Sequence, residues 1–133
     1  MMKARILLII CLIASCGFYI EPYFFISMDD TFYLGPYGNL YNMRVSYEFS
    51  SEALTMPVKI GVYKYNNQDR ALVGKFQIEV PNSGLFYINN DHSDYFINFE
   101  RGEYQLEAVL LSERFGAYRE INSLRVTQDF EIR

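Results

Sequence analysis

The sequence of 133 residues contains no tryptophan, one histidine and only two cysteines. Both cysteines, Cys11 and Cys16, lie near the N-terminus, so the rest of the chain has none with which to form a disulfide bond. A disulfide-stapled mini-protein is therefore excluded, and the fold must be held by a hydrophobic core. A chain of this size can bury roughly two thirds of its unfolded surface, which is enough for one domain.

The single histidine restricts the chemistry that the chain can support. A zinc site with several histidines is excluded, and a Ser/His or Cys/His pair could use only His92. His92 lies in the polar segment Asn89 to Asp94, which has the composition of a solvated turn. The segment Gly35 to Gly38 lacks the lysine of a phosphate-binding loop. We expect no catalytic residue, no metal and no cofactor, and hence a protein that is not an enzyme.

A calcium site is the one ion-binding alternative in the same polar segment. Counted from Asn89, the positions three, five and twelve of an EF-hand loop hold oxygen donors, which are Asp91, Ser93 and Glu100. Position six of such a loop requires glycine, but Asp94 occupies it. We therefore favour a turn without an ion.

Acidic residues outnumber basic ones, at 16 Asp and Glu against 12 Lys and Arg. Two of the basic residues, Lys3 and Arg5, belong to the N-terminal segment, and the others are scattered singly among acidic residues. Proteins that bind phosphate backbones carry clusters of Lys and Arg. We therefore expect no nucleic-acid partner, and the charge pattern does not favour an anionic membrane surface either.

The N-terminal segment differs from the rest of the chain. Lys3 and Arg5 precede an apolar run from Ile6 to Ala14. That run has the length of a signal-peptide core and is shorter than the roughly 20 residues of a transmembrane helix. It ends in Ile13-Ala14-Ser15-Cys16. This order of elements resembles the lipobox of bacterial lipoproteins.

The resemblance implies a signal peptide over residues 1–15 and a mature protein over residues 16–133. Diacylglycerol would be attached to the Cys16 sulfur and an acyl chain such as palmitate to its amino group, because a thiolate can be alkylated to a stable thioether. Two or more acyl chains give stable anchoring. Many lipoproteins that are retained in the inner membrane carry aspartate directly after the cysteine, whereas this chain has Gly17 there. The family's sorting rule therefore favours the outer membrane, with the protein facing the periplasm. A cleaved secretory protein and an uncleaved anchor are the alternatives, and all three export the domain.

Downstream of this segment, apolar and polar residues alternate with a period of two, which is typical of half-buried β-strands. The clearest run ends at Phe49. Strands are predicted at residues 23–26, 41–49, 58–62, 76–80, 85–88, 95–99, 103–111 and 124–132. Turns are predicted at Asn66 to Arg70 and at Pro81 to Gly84. Eight short strands without helical periodicity predict an all-β sandwich or barrel.

The segment from Phe99 to Ala108 narrows this choice. A turn that contains Gly102 precedes Tyr104, and this order resembles the tyrosine corner of immunoglobulin-like sandwiches, in which the hydroxyl bonds back to the preceding connection. Leu106 stands where antibody domains have a disulfide cysteine, and we expect it between the sheets. The resemblance predicts a single immunoglobulin-like β-sandwich of about seven to eight antiparallel strands.

Aromatic residues form 17% of the chain and crowd between Phe18 and Tyr41 without alternation. The segment is either a first strand and a crossover packed under the sandwich, or a recognition loop. Tyrosine suits the second role because it offers a large, rigid contact area. If the segment is a recognition loop, we expect Phe32, Tyr33 and Tyr37 to bind a partner. Because the segment follows Cys16, we expect this contact to lie close to the membrane.

Together these features favour a membrane-anchored envelope lipoprotein that acts as a protein-binding or assembly module. In size, anchor and sandwich character the chain is similar to the sandwich-type pilotins of type III secretion systems and to the outer-membrane lipoprotein of type VI systems. An inhibitor, immunity or exclusion lipoprotein is the close alternative. A small envelope hydrolase with paired carboxylates such as Asp29 and Asp30 is the remote one. The expected partners are the membrane, through lipid on Cys16, and an envelope protein.

Overall fold

The structure is a computed structural model, and it describes residues 22–38, 42–51, 53–90 and 94–133. The proposed signal peptide, the lipobox with Cys16, and His92 lie outside the described residues. The described part of the chain contains no helix that is long and apolar enough to cross a membrane.

Eight β-strands in the described ranges form two sheets. Their bounds are β1 (Phe24–Ser27), β2 (Thr31–Phe32), β3 (Met43–Phe49), β4 (Met56–Asn66), β5 (Asp69–Val80), β6 (Ser83–Ile88), β7 (Gly102–Arg114) and β8 (Ala117–Ile132). One sheet has the order β1-β3-β6 and the other has the order β2-β8-β7-β4-β5. The expectation of antiparallel strands is wrong for one pair, because β2 runs parallel to β8.

Strand β3 illustrates how the alternating sequence builds the core. Every second residue from Met43 to Phe49 is buried, whereas Arg44 and Glu48 between them are exposed. Consecutive side chains of a strand point to opposite faces, so the apolar set lies between the two sheets. In the other sheet, Ile60 of β4 and Leu106 of β7 have no exposed surface, as predicted for Leu106.

Tyr104 forms the tyrosine corner that the sequence predicts. Its hydroxyl donates a hydrogen bond of 2.8 Å to the carbonyl of Glu100 and accepts one of 3.1 Å from the N–H of the same residue. The Tyr104 ring is buried and stacks on Phe130, with 5.4 Å between the ring centroids. The corner and the strand order of the two sheets make the domain an immunoglobulin-like β-sandwich, as predicted.

The strand predicted at residues 95–99 is wrong, since this segment is an irregular part of the connection from β6 to β7. Its alternation has a different cause: Ile97 and Phe99 are buried in the core and Phe96 is exposed, although no described strand pairs with the segment. The expectation that Asn89 lies in a solvated turn is also wrong, because Asn89 is 1% exposed. The two predicted turns join β4 to β5 and β5 to β6, as expected.

Strand pairing defines two ends of the sandwich. The strand β1 begins beside the last residue of β3, because Phe24 pairs with Phe49. Strands β3 and β5 end, and β4 and β6 begin, at this same end of the sandwich. The tip of the β7–β8 hairpin also lies here, because β7 continues past its last pairing with the beginning of β4. We call this the proximal end.

The opposite end, which we call the distal end, carries the β4–β5 turn, the connection from β6 to β7 and the C-terminus. Gly102, the first residue of β7, pairs there with Ile132, the last residue of β8. From Gly102 to Arg114 at the proximal tip, β7 spans about 40 Å at roughly 3.3 Å per residue. The two ends are therefore far apart relative to the reach of any side chain.

Candidate interaction surfaces

The structure separates the three aromatic residues that the sequence groups together. Phe32 lies in β2 and is buried, with its ring edge-on to Phe130 at a centroid distance of 5.8 Å. Tyr33 is 68% exposed and Tyr37 is 91% exposed. Phe32 therefore belongs to the core, and the prediction that it contacts a partner is wrong. The two tyrosines are exposed and can still make such a contact.

Both tyrosines lie at the distal end. The N–H of Leu34 donates a hydrogen bond of 2.9 Å to the carbonyl of Arg133, so the segment runs beside the end of β8. Tyr37 belongs to a turn that is closed by a bond of 2.9 Å from the N–H of Gly38 to the carbonyl of Gly35. Gly38 has a φ of 76°, in the left-handed region that glycine adopts most readily. We call Tyr33 and Tyr37 the distal tyrosines.

The distal tyrosines lie far from the beginning of β1. The sequence predicts them close to the membrane because they follow Cys16, which lies outside the described residues. Strand β1 begins at the proximal end, and β2 pairs with the distal end of β8, so the chain has crossed the sandwich before Tyr33. The tyrosines therefore lie at the end opposite to that at which β1 begins.

Tyr33, one of the two distal tyrosines, has the charged residue Arg133 as a neighbour. Arg133 forms an ion pair of 3.2 Å with Glu131, which raises the pKa of Arg133, and the Tyr33 hydroxyl raises it further. Tyr33 is thus an aromatic side chain with a polar tip beside an exposed ion pair. Such a mixture of apolar and polar groups is typical of protein-binding surfaces.

The outer face of the five-stranded sheet carries a network of ion pairs. Glu107 accepts bonds from Arg125 at 2.6 Å and from Arg70 at 3.3 Å. Glu120 is bonded to Lys59 at 2.8 Å and to Arg125 at 2.7 Å. Lys59, and then Arg125, hold the pKa of Glu120 below its usual value. The network links β4, β5, β7 and β8, and the charged groups within it are matched with one another.

A shallow acidic hollow lies at the distal end of this outer face. Its volume is about 280 Å³, and it is lined by Asp30, Tyr65, Glu103, Tyr104, Asp129, Phe130 and Glu131. The Tyr65 hydroxyl donates a bond of 2.9 Å to Asp129, which raises the pKa of Tyr65. Nowhere in the described ranges do three or more His, Cys, Asp or Glu residues group so that they could hold a metal ion. The hollow gives the distal end a negative charge but no ion-binding geometry.

The first position of the proposed calcium loop, Asn89, and one of its proposed ligands, Glu100, are bonded to other partners. The side-chain oxygen of Asn89 accepts a bond of 2.7 Å from the N–H of Ile97. The carboxylate of Glu100 forms an ion pair of 2.9 Å with Lys64, which lowers the pKa of Glu100. The residues between them at positions 91–93 lie outside the described part of the chain.

Strand β5 is a free edge of the five-stranded sheet among the described strands, where an incoming strand could in principle pair. The register of β4 and β5 shifts between Val62 and Tyr63, so Val73 has no partner on β4. A bulge of this kind interrupts the flat edge that an incoming strand would need. The β5 edge is therefore less suited to strand addition than its length suggests.

The distal tyrosines are thus the predicted contact residues that packing leaves exposed. Phe32 is in the core, the ion pairs of the outer face satisfy one another, and the β5 edge is interrupted. Comparison of the chain with family models, with curated proteins and with solved structures gave no match.

Proposed function

We propose that this protein is a protein-binding module that lipid on Cys16 holds at a membrane, with its partner bound at the distal end. One observation carries the proposal: Tyr33 and Tyr37 are exposed at the end of the sandwich opposite to that at which β1 begins. Because β1 begins eight residues after Cys16, the tyrosines would face away from the membrane.

The exposure of the distal tyrosines has no explanation in the stability of the fold. The turn around Tyr37 is formed by backbone bonding and by the positive φ of Gly38, neither of which needs an aromatic side chain. Tyrosine is enriched at protein interfaces because it buries a large apolar area and loses little side-chain entropy. Contact with another protein accounts for the presence of tyrosine at both positions and for their location at the distal end.

The anchor is tested by the mass of the N-terminal residue. Wild-type protein from a bacterial envelope should begin at Cys16 and carry acyl mass, whereas Cys16→Ser should be unprocessed or free of the membrane fraction. Cys11→Ser is the matched control, because it removes the other cysteine and should be lipidated normally. Wild-type protein with an unmodified N-terminus at Gly17 would contradict lipidation.

The binding surface is tested by photo-cross-linking from position 37 in the envelope, followed by mass spectrometry of the adduct. In a separate co-purification without the cross-linker, Tyr33→Ala with Tyr37→Ala should reduce recovery of the partner about tenfold or more, which corresponds to at least one hot-spot residue. The melting temperature should stay unchanged, because neither side chain is buried. Phe25→Ala is the control, since Phe25 is an exposed aromatic residue on the outer face of the other sheet.

Two outcomes would contradict the distal surface. One is equal recovery of the partner by the double variant and the wild type. The other is unfolding of the double variant, because that would assign the tyrosines to the core. The identity of the recovered protein then separates an assembly role from inhibition: a channel or secretion subunit supports the first, and a hydrolase or toxin that the protein inactivates supports the second.

A further inference from the structure

We infer that the proximal end of the sandwich makes direct contact with the surface of the bilayer that holds Cys16, through Phe115 at the tip of the β7–β8 hairpin and Leu54 in the adjacent connection. The inference rests on the lipid anchor of the proposed function. It adds a second membrane contact, made by the folded domain itself, which would orient the distal tyrosines away from the lipid.

Phe115 breaks the local rules of the turn in which it lies. It occupies the two-residue tip of the hairpin with Gly116, and their φ angles are 53° and 77°. Turns that need positive φ at both positions favour Asn, Asp or Gly, and a bulky side chain there is strained. The Phe115 side chain is nonetheless fully exposed, so it gains no packing in return. Because Phe115 lowers the stability of the turn and its side chain packs against nothing in the domain, we infer that the side chain contacts another molecule or surface.

The hairpin arm that carries Phe115 has no backbone pairing with strands other than β7 and β8. The pairing of β4 with β7 ends where Val58 meets Leu110. The last four residues of β7, which follow Leu110, pair only with β8. At roughly 3.3 Å per residue the arm extends about 13 Å past that pairing. An aromatic side chain at the end of such an arm can therefore reach a surface that lies beyond the last pairing of β7 with β4.

The charges on the arm suit an anionic surface. The guanidinium groups of Arg114 and Arg119 form no ion pair with any described residue. The register of β7 and β8 places both arginines on one face of the arm and Glu113 on the opposite face. Glu120, at the base of the arm, is held by Lys59 and Arg125. The face of the arm that carries both arginines therefore has no acidic residue of the arm on it, so this face is basic although the whole chain is acidic. Arg side chains beside an exposed aromatic ring bind lipid headgroups while the ring enters the interface.

The length of the chain before β1 keeps the proximal end near the anchor. Pro22 follows Cys16 by six residues, which span about 20 Å even when fully extended. Leu54 is 92% exposed in the connection from β3 to β4, at the same end as the hairpin tip. Two exposed apolar side chains from separate connections thus lie at the end of the domain that the anchor would hold closest to the bilayer.

The absence of tryptophan makes a direct test possible, because each introduced tryptophan is the only one in the protein. Phe115→Trp, Leu54→Trp and Phe96→Trp are prepared as full-length lipidated proteins. They are reconstituted in vesicles of phosphatidylcholine and phosphatidylglycerol with brominated acyl chains, which quench tryptophan at the interface. Phe96 is exposed in the connection from β6 to β7 at the distal end and serves as the control.

We expect quenching several-fold greater for Phe115→Trp and Leu54→Trp than for Phe96→Trp, together with a blue shift of their emission. Adding Arg114→Gln and Arg119→Gln to Phe115→Trp should reduce its quenching in these vesicles. Flotation of the vesicles separates the two proposals. If the proteins float and position 115 is quenched no more than position 96, the inference is overturned and the anchor stands. If the wild-type protein does not float, the anchor fails and the inference fails with it.

Discussion

The carboxamide of Asn89 forms two hydrogen bonds of 2.7 Å with the backbone of Ile97, donating to the carbonyl and accepting from the N–H. The Asn89 side chain thereby forms the two backbone hydrogen bonds that a neighbouring strand would form with Ile97 if the segment at residues 95–99 were paired. Asn89 also has a φ of 58°, a conformation that asparagine tolerates better than most residues. The same residue thus turns the chain after β6 and fixes the connection that closes the core.

Replacing Asn89 should therefore be costly. Asn89→Ala leaves the carbonyl and the N–H of Ile97 without partners in a buried place, and we expect the free energy of unfolding to fall by about 2–4 kcal/mol. Urea denaturation measures the change. Asn98→Ala, an exposed asparagine of the same connection, should change it by less than about 0.5 kcal/mol. Equal effects of the two substitutions would contradict the role of Asn89.

Gly74 of β5 should not accept a side chain while Ile97 lies over it. A Cβ at position 74 would be 2.5 Å from Cδ1 and 2.8 Å from Cγ1 of Ile97. We expect Gly74→Ala to cost about 1–3 kcal/mol through overpacking. In an Ile97→Ala background the same substitution should be neutral or slightly stabilising, since the clash is gone. A double-mutant cycle with a coupling energy near zero would show that the two residues do not compete for space.

The tyrosine corner should make a measurable contribution of its own. Tyr104→Phe keeps the buried ring and removes the hydroxyl, which leaves both backbone groups of Glu100 without this partner. We expect a loss of about 1–2 kcal/mol in the free energy of unfolding. Tyr118→Phe, which removes a hydroxyl from an exposed ring, is the control and should have little effect. An equally small effect at position 104 would mean that water replaces the hydroxyl without penalty.

The tip of the β7–β8 hairpin should gain stability from a residue suited to its backbone. Phe115→Asn produces the Asn-Gly pair that this kind of turn prefers, and we expect a gain of up to about 1 kcal/mol from relief of strain. Phe115→Ala removes the ring but keeps the disfavoured φ, so it should show no such gain. If alanine stabilises as much as asparagine, the exposed ring and not the backbone is the source of the cost.

The parts of the fold that the sequence predicts are those governed by local rules. The alternation along β3 follows from the burial of one face of the strand. The tyrosine corner follows from the short spacing between the turn at Gly102 and Tyr104 in the strand after it. The alternation at residues 95–99 misled for a physical reason. Period two reports which side chains are buried, and it is silent on whether the backbone has a strand to pair with. The bonding of Asn89 to Ile97 has no signal in the pattern, because asparagine in a polar segment is typical of a solvated turn.

The ends of the strands were also beyond local rules. Strands β7 and β8 extend past the predicted bounds, to Arg114 and from Ala117. The sequence did not predict these residues, because Ser112 to Arg114 and Ala117 to Glu120 are all exposed and therefore show no alternation. The two-residue strand β2 was missed because it is too short to show a period. Its parallel pairing with β8 nevertheless buries Phe32, which composition alone had grouped with the exposed tyrosines.

The sequence by itself determined the all-β class, the single core without disulfide bonds and the tyrosine corner, since each depends on neighbours within a few residues. Only the tertiary structure decided which aromatic residues reach the surface and at which end they lie. Tyr33 follows Phe32 directly, yet the first is exposed at the distal end and the second is buried against Phe130. Phe115 lies far from Phe24 in the sequence, yet both belong to the proximal end. The reason is that strand pairing joins distant segments, and the position of a side chain on the sandwich depends on its partner strand and not on its distance along the chain.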